Sequence, residues 1–134
     1  MTNFHLQIVT PDGLQYDGEA TCVRVRAIDG DIGILANHID LVTALGMGPA
    51  QITTQDSTRK AACIGGLLTV SNGAVKIVAT TFEWAENIDV ERADRAYQRA
   101  KTVLDDPNTS ERDLKIAEAK LKRALVRKAA AGGK

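Results

Sequence analysis

The sequence predicts a β-sandwich, a flattened barrel of many short antiparallel strands, followed by a C-terminal antiparallel α-helical hairpin. Three observations carry that reading. As far as residue 85, short apolar runs alternate with turn residues and no helical stripe is present. Beyond Ile88 the apolar period changes to i, i+3, i+4, i+7. The single interruption Asp105-Asp106-Pro107-Asn108 divides that second region into two stretches of similar length, which a short connection folds antiparallel. Residues 1–85 are accordingly assigned to the sandwich and 86–134 to a two-helix arm.

The first strand is Phe4 to Val9, closed by a Pro11-Asp12-Gly13 turn whose proline pre-sets φ for a reversal. Cys22 to Ala27 alternates apolar and charged residues, the period of a strand that buries one face, and the pattern breaks at Asp29-Gly30-Asp31. Ile32–Leu35, Leu41–Leu45, Ala50–Thr54, Ala61–Ile64 and Leu67–Val70 continue the series. Between them stand Gly46, Gly48-Pro49, Gln55–Ser57 and Gly65-Gly66, each read as a strand break. Asn72-Gly73 joins Leu67–Val70 to Ala74–Ala79 as a two-residue hairpin, because both positions tolerate positive φ.

In the arm, Ala93, Ala96, Tyr97, Ala100, Val103 and Leu104 form the stripe of the first helix, with Asp89 or Asn87 as its cap. Ser110, with Asp113 three residues on, opens the second helix, whose stripe is Leu114, Ala117, Leu121, Ala124 and Leu125. Alanine dominates both stripes, so little area is buried per turn and the hairpin is expected to open readily.

The chain has 134 residues, 17 basic and 17 acidic, so it supports one compact core with an appendage and carries no net field to draw it to nucleic acid or anionic lipid. A nucleic-acid adaptor working through the second helix is further disfavoured by the lack of interleaved aromatics. No apolar run has the length of a membrane span and the N-terminus has no secretory pattern, which predicts a cytosolic chain with Cys22 and Cys63 as free thiols. Phosphate-loop, nucleophile-elbow and metal-ligand spacings are missing from the sequence, so no catalysis and no metal requirement are expected.

Arg92 and Arg99 lie two turns apart on one helix face, and Arg123 and Arg127 lie one turn apart on the other helix. Folding about Pro107 brings Arg123 opposite Arg92 and the four guanidinium groups toward Glu83 and Asp89. Such a cluster needs anions. Glu83, Glu86, Asp89 and Glu91 can supply them, and so can a nucleotide polyphosphate, whose oxygens pair bidentately with guanidinium forks.

Three segments resemble the epsilon subunit of F-type ATP synthases of bacterial type, the counterpart of the mitochondrial delta subunit. They are Val9-Thr10-Pro11-Asp12-Gly13, then Asp29 to His38 running on through Leu41–Leu45, and Gly65-Gly66-Leu67-Leu68 onward to Ala93. Where Pro-Gly commonly precedes the histidine, this chain has Ala36-Asn37; asparagine still tolerates a left-handed backbone. Trp84 is likewise unusual for the linker.

The resemblance implies a non-catalytic rotor subunit of the central stalk that helps couple ion flow to ATP synthesis at the cytoplasmic face of the cell membrane. It implies a sandwich bound to the gamma subunit and to the membrane ring of c subunits, with Asp31 and His38 as partner contacts; a solvated turn aspartate and a loop-capping histidine are the plainer readings of those two. Ile88-Asp89-Val90-Glu91-Arg92-Ala93 fits the Ile/Leu-Asp-x-x-Arg-Ala motif of members that bind ATP. The implied contacts are Glu83, Ile88, Asp89, Arg92, Ala93, Arg99, Arg123 and Arg127. ATP is then a regulatory ligand that holds the arm folded. Extended, the arm inhibits hydrolysis, with Lys115, Lys120, Lys122, Arg123, Arg127 and Lys128 meeting the alpha and beta subunits of the catalytic head. The alternative is a purely structural coupling subunit that senses no ATP.

Overall fold

The computed structural model describes residues 2–132; Met1, Gly133 and Lys134 lie outside the described residues, the last two at the end of the predicted arm. Seven strands form one hydrogen-bonded sheet: β1 (Phe4–Thr10), β2 (Gly13–Ala20), β3 (Cys22–Ala27), β4 (Gly30–Leu35), β5 (Leu41–Thr53), β6 (Thr58–Ser71) and β7 (Ala74–Trp84). Their order is β2-β1-β7-β6-β5-β3-β4, and every neighbouring pair is antiparallel except β1 with β7. A single 3-10 turn, Ala85–Asn87, leads into helix α1 (Val90–Asp105) and then α2 (Glu111–Gly132).

One sheet encloses one core because its three middle strands change face partway along. In β6, Ala61 and Cys63 point inward below the change, and Leu68 and Val70 above it. The parity flips between odd and even positions, at Gly65 and Gly66, whose φ values are +73° and +126°. Its neighbours flip at the same level, β5 from Leu45 to Ala50 and Ile52, and β7 from Ala79 to Phe82 and Trp84. Leu45, Gly66 and Ala79 stand side by side across the three strands. That row is a crease, and it folds the sheet into the two layers of a sandwich.

The crease corrects the strand boundaries read from the sequence. Gly46, Gly48-Pro49 and Gly65-Gly66 do not end strands; β5 and β6 run through them. Pro49, which has no N–H to donate, sits where β5 pairs with Ala62 of β6 while its ladder to β3 is interrupted between Arg24 and Ala27. A side chain at Gly66 would strike the carbonyl oxygen of Val78, so only glycine fits.

The Asn72-Gly73 hairpin forms as expected, with φ of +52° and +81° between the paired Ser71 and Ala74. Asn37 adopts φ +65°, the left-handed turn anticipated ahead of His38. A strand that the hydrophobic period does not reveal is β2, an edge strand whose residues are mostly exposed or half-buried. Its ladder shifts register opposite Ile8 and Val9, leaving Gln15 as the extra residue of a bulge. The carbonyl of Gln15 accepts a 3.4 Å hydrogen bond from the indole N–H of Trp84, which is buried against Phe82 and Tyr16 at the end of β7.

Asp89 caps α1, its carboxylate accepting from the Arg92 N–H at 3.0 Å. Ser110 caps α2, its hydroxyl accepting from the Asp113 N–H at 3.2 Å. Asp106 is extended ahead of Pro107, as a pre-proline residue must tend to be, and α1 stops there. The seam between the helices is Ala93 and Ala100 against Ala117 and Ala124. Leu125, placed in the apolar stripe by its spacing, is instead nearly half exposed. The arm docks on the sandwich through the last turns of α2, where Ala130 packs with Ala62 of β6 and Ile88, flanked by Val126 and Ala131.

Candidate functional site

Between the two helices and the end of β7 lies a groove of about 950 Å³. Each wall is supplied by a residue pattern already visible locally. The Ala93, Ala100 and Ala117 methyls line the groove, because alanines at the seam leave a gap where larger residues would interdigitate. Ile88 lines the hinge end, just after the 3-10 turn. Arg92 and Arg99 reach in from α1, and Arg123 and Arg127 from α2.

All eight residues named as nucleotide contacts, Glu83, Ile88, Asp89, Arg92, Ala93, Arg99, Arg123 and Arg127, line this one groove. The four arginines of the expected cluster thus share one groove. Asp31 and His38 stand apart from it. Asp31 lies at the start of β4 and pairs with Arg26 across the hairpin. The Nδ1–H of His38 donates to the Ile39 carbonyl at 2.8 Å; a carbonyl can only accept, so this bond fixes the ring tautomer.

The charges in the groove are unevenly matched. Arg127 Nε donates to Glu83 Oε1 at 2.5 Å, with both side chains about one-third exposed. The Asp89 carboxylate is engaged as the helix cap. Arg92, Arg99 and Arg123 have no carboxylate within ion-pair distance among the described residues; Arg99 donates only to the Arg95 carbonyl, at 3.4 Å. Glu86 and Glu91, the other carboxylates expected to balance the cluster, do not line the groove. Glu86 instead pairs with Arg59 at 2.5 Å. Its own backbone N–H, and then that guanidinium, hold the Glu86 carboxyl below the usual carboxylate range.

Sequence reasoning missed the far end of the groove. Asn108, Thr109, Ser110 and Asp113 line it from the helix–helix connection, and Lys120 adds a further cation. The signal for the connection was present, since the same residues terminate and restart the helices, but capping residues were read only for capping. Lys120 is three residues before Arg123, one turn along the same face. The groove can thus offer cations toward the hinge, a methyl-lined stretch, and, at the connection, hydroxyl and amide groups beside the carboxylates of Asp106 and Asp113. No group of three or more His, Cys, Asp or Glu side chains among the described residues is arranged to hold a metal ion.

Fold and groove together define a small two-part protein, a creased β-sandwich bearing an arginine-lined helical hairpin. Two family models match it end to end: the ATP synthase delta/epsilon chain β-sandwich domain over residues 3–85, and the ATP synthase delta/epsilon chain long α-helix domain over residues 86–132. The chain belongs to the ATP synthase delta/epsilon chain family. It is 41% identical over 132 residues to the ATP synthase epsilon chain of Bacillus pumilus, covering 98% of this chain and 99% of the relative. With the epsilon chain of an Exiguobacterium species it shares 38% identity over 128 residues, 95% of this chain and 94% of the relative.

Among solved structures, a chain of the Euglena gracilis mitochondrial ATP synthase superposes with a TM-score of 0.85 at 22% identity, covering 97% of this chain and 82% of that one. A chain of the Tetrahymena thermophila mitochondrial ATP synthase central stalk and c-ring structure gives 0.66 at 11% identity, covering 95% of each. These establish a shared fold. As a member of the family, the protein is an accessory chain of ATP synthase and not its catalytic chain.

Proposed function

We propose that the chain is a rotor subunit in the central stalk of a membrane-bound ATP synthase. Its sandwich binds the gamma subunit and the ring of c subunits, with Asp31 and His38 on the contacting surface, and so takes part in coupling ion flow to ATP synthesis. It works at the cytoplasmic face of the cell membrane as a peripheral component; none of its described helices is long and apolar enough to cross a bilayer. The arm binds ATP when folded, as a signal rather than a substrate. When extended, it reaches the alpha and beta subunits of the catalytic head and inhibits hydrolysis.

One observation carries the nucleotide part of this reading: eight residues named from sequence line a single groove in which three guanidinium groups lack a carboxylate. Gathering like charges of which three lack a paired carboxylate disfavours the folded hairpin, and a polyphosphate reverses that sign by bridging both helices. Binding only to the folded arm then shifts the population toward it.

Equilibrium titration of the full chain with ATP tests the reading, alongside a variant carrying Arg123→Ala and Arg127→Ala. Saturable binding is expected, weakened in the variant by at least about a hundredfold, from two lost charged contacts of roughly 1.5–3 kcal/mol each. No binding by the parent chain up to millimolar ATP would leave a coupling subunit with no nucleotide sensing.

A further inference from the structure

Charge changes sign along the groove. At the hinge end stand the carboxylates of Glu83 and Asp89, beside the apolar Ile88 and Ala93; at the connection stand those of Asp106 and Asp113. Arg92, Arg99, Arg123 and Lys120 occupy the stretch between. None of these four cations has a carboxylate within ion-pair distance among the described residues. A carboxylate accepts from amino and hydroxyl groups but repels phosphate. On the nucleotide-binding reading above, the base and sugar therefore belong at the hinge, and the phosphates run toward the middle and stop short of Asp106 and Asp113.

Lys120 is the cation on α2 that such a chain of phosphates meets last. It lies three residues after Ala117 and four before Ala124, both buried in the seam, so it sits on the seam-facing side of the helix. Lys115, Lys122 and Lys128, the lysines grouped with it for the extended arm, do not line the groove. Lys128 pairs instead with Asp94 at 2.9 Å. From Arg127 to Lys120 is seven residues, about 10 Å along the axis at 1.5 Å per residue. Across the groove, Arg99 is likewise the cation of α1 nearest the connection.

We propose that Lys120 is a specificity residue of this groove: its ammonium, facing Arg99, pairs with the phosphate furthest from the base, so that the arm holds a triphosphate in preference to a diphosphate. The assignment rests on the nucleotide-binding reading. An ammonium is a compact charge on a flexible stem with three donors, suited to a terminal phosphate whose oxygens fan out, whereas the guanidinium forks suit the inner ones. Lys120 is exposed, so no packing is lost when it is replaced and its contribution is electrostatic.

The full chain, Lys120→Gln and Lys101→Gln are titrated with ATP, and ADP is measured in competition with it. Lys101 is an exposed lysine of α1 that does not line the groove, and its change controls for net charge. Lys120→Gln should bind ATP about threefold to fivefold more weakly, as for a solvent-exposed ion contact, and shift ADP by less than about twofold. The ratio of the two affinities decides, because any change in the fraction of folded arm multiplies both alike. Lys101→Gln should keep the parent's ratio. An unchanged ratio in Lys120→Gln, or an equal fall in Lys101→Gln, would overturn the assignment. A parent chain that binds ATP with a ratio indifferent to Lys120 removes this residue alone; a parent that binds no ATP removes the functional reading and the assignment together.

Discussion

In the sandwich, Leu6, Ile8, Ile52, Leu68 and Ile77 are fully enclosed; in the arm, the enclosed seam residues are Ala93, Ala100, Ala117 and Ala124. A buried leucine or isoleucine contributes about 1.5–3 kcal/mol, against about 0.8 for a methyl group. Each strand of the sandwich is also bonded to a neighbour through the backbone, whereas the arm touches the sandwich through Ala130, Val126, Ala131 and ion pairs. The same chain therefore holds one part that is expensive to disturb and one that a small change in charge can move. Local opening is expected at the weakly packed end of that scale and global unfolding at the other.

Substitutions on the two sides of the joint should behave as different classes. The largest effect belongs to Gly66→Ala in the crease. The new Cβ meets the Val78 carbonyl and comes within 2.7 Å of Ala79 Cα, at a φ of +126° that L side chains rarely adopt. A loss of about 3 kcal/mol or more is expected, seen as a lower midpoint of urea unfolding for the whole chain. An unchanged midpoint would mean that the crease can relax, and the contrast between the two regions would weaken.

Ala130→Asp should give an intermediate effect confined to the arm. A carboxylate there faces Ala62 and Ile88 with no cation assigned to it. Amide protection across α2 should collapse toward the exchange rates of an isolated helix, while the sandwich unfolding midpoint moves by less than about 0.5 kcal/mol. Loss of sandwich stability in parallel would show the two parts to be one cooperative unit.

The smallest effect concerns pH at the hinge. The Glu86 carboxyl is held below its usual value of 4.5 in the folded chain, by its own N–H and then by Arg59. A depressed folded pKa contributes stability above the unfolded value that is lost as pH falls through the folded one. Hinge protection of residues 85–88 should therefore be flat from neutral pH to about 4.5 and decline below it. Glu86→Gln should flatten the decline, as hydrogen exchange across that range would report.

Legibility in the sequence followed how local the governing physics is. Asp89, Ser110, the pre-proline stop at Asp106 and the Asn72-Gly73 turn act within a few residues of themselves, and each reads correctly. Gly46, Gly48-Pro49 and Gly65-Gly66 misled because a glycine that ends a strand and one that turns it over look alike in one dimension. Only the alignment of Leu45, Gly66 and Ala79 in three adjacent strands tells them apart. The β2 strand escaped notice because an edge strand with two largely exposed faces has no alternation to detect.

The groove was half legible. Its arginines follow from helical spacing and the Ile88–Ala93 motif, and all eight named residues line it. The polar end was not legible, because Asn108, Thr109 and Ser110 line it through the path of a loop. Nor was the docking face of α2, where Leu125 fits the period and Val126 and Ala130 do the packing. Spacing fixes which residues share a helix face but not which neighbour claims that face, and here the sandwich claims the end of α2.

Trp84 is the only tryptophan in the chain. It is the last residue of β7, with the Arg59 guanidinium 3.6 Å above its ring and Phe82 edge-on at 5.0 Å. Arg59 is also the residue that holds Glu86 in the turn beyond. The indole is thus fixed in the sandwich while the cation over its face is shared with the turn that leads into the arm. Any loosening of the turn that redirects Arg59 changes the electric field on the chromophore, so the emission of the unlabelled protein carries an optical record of the joint.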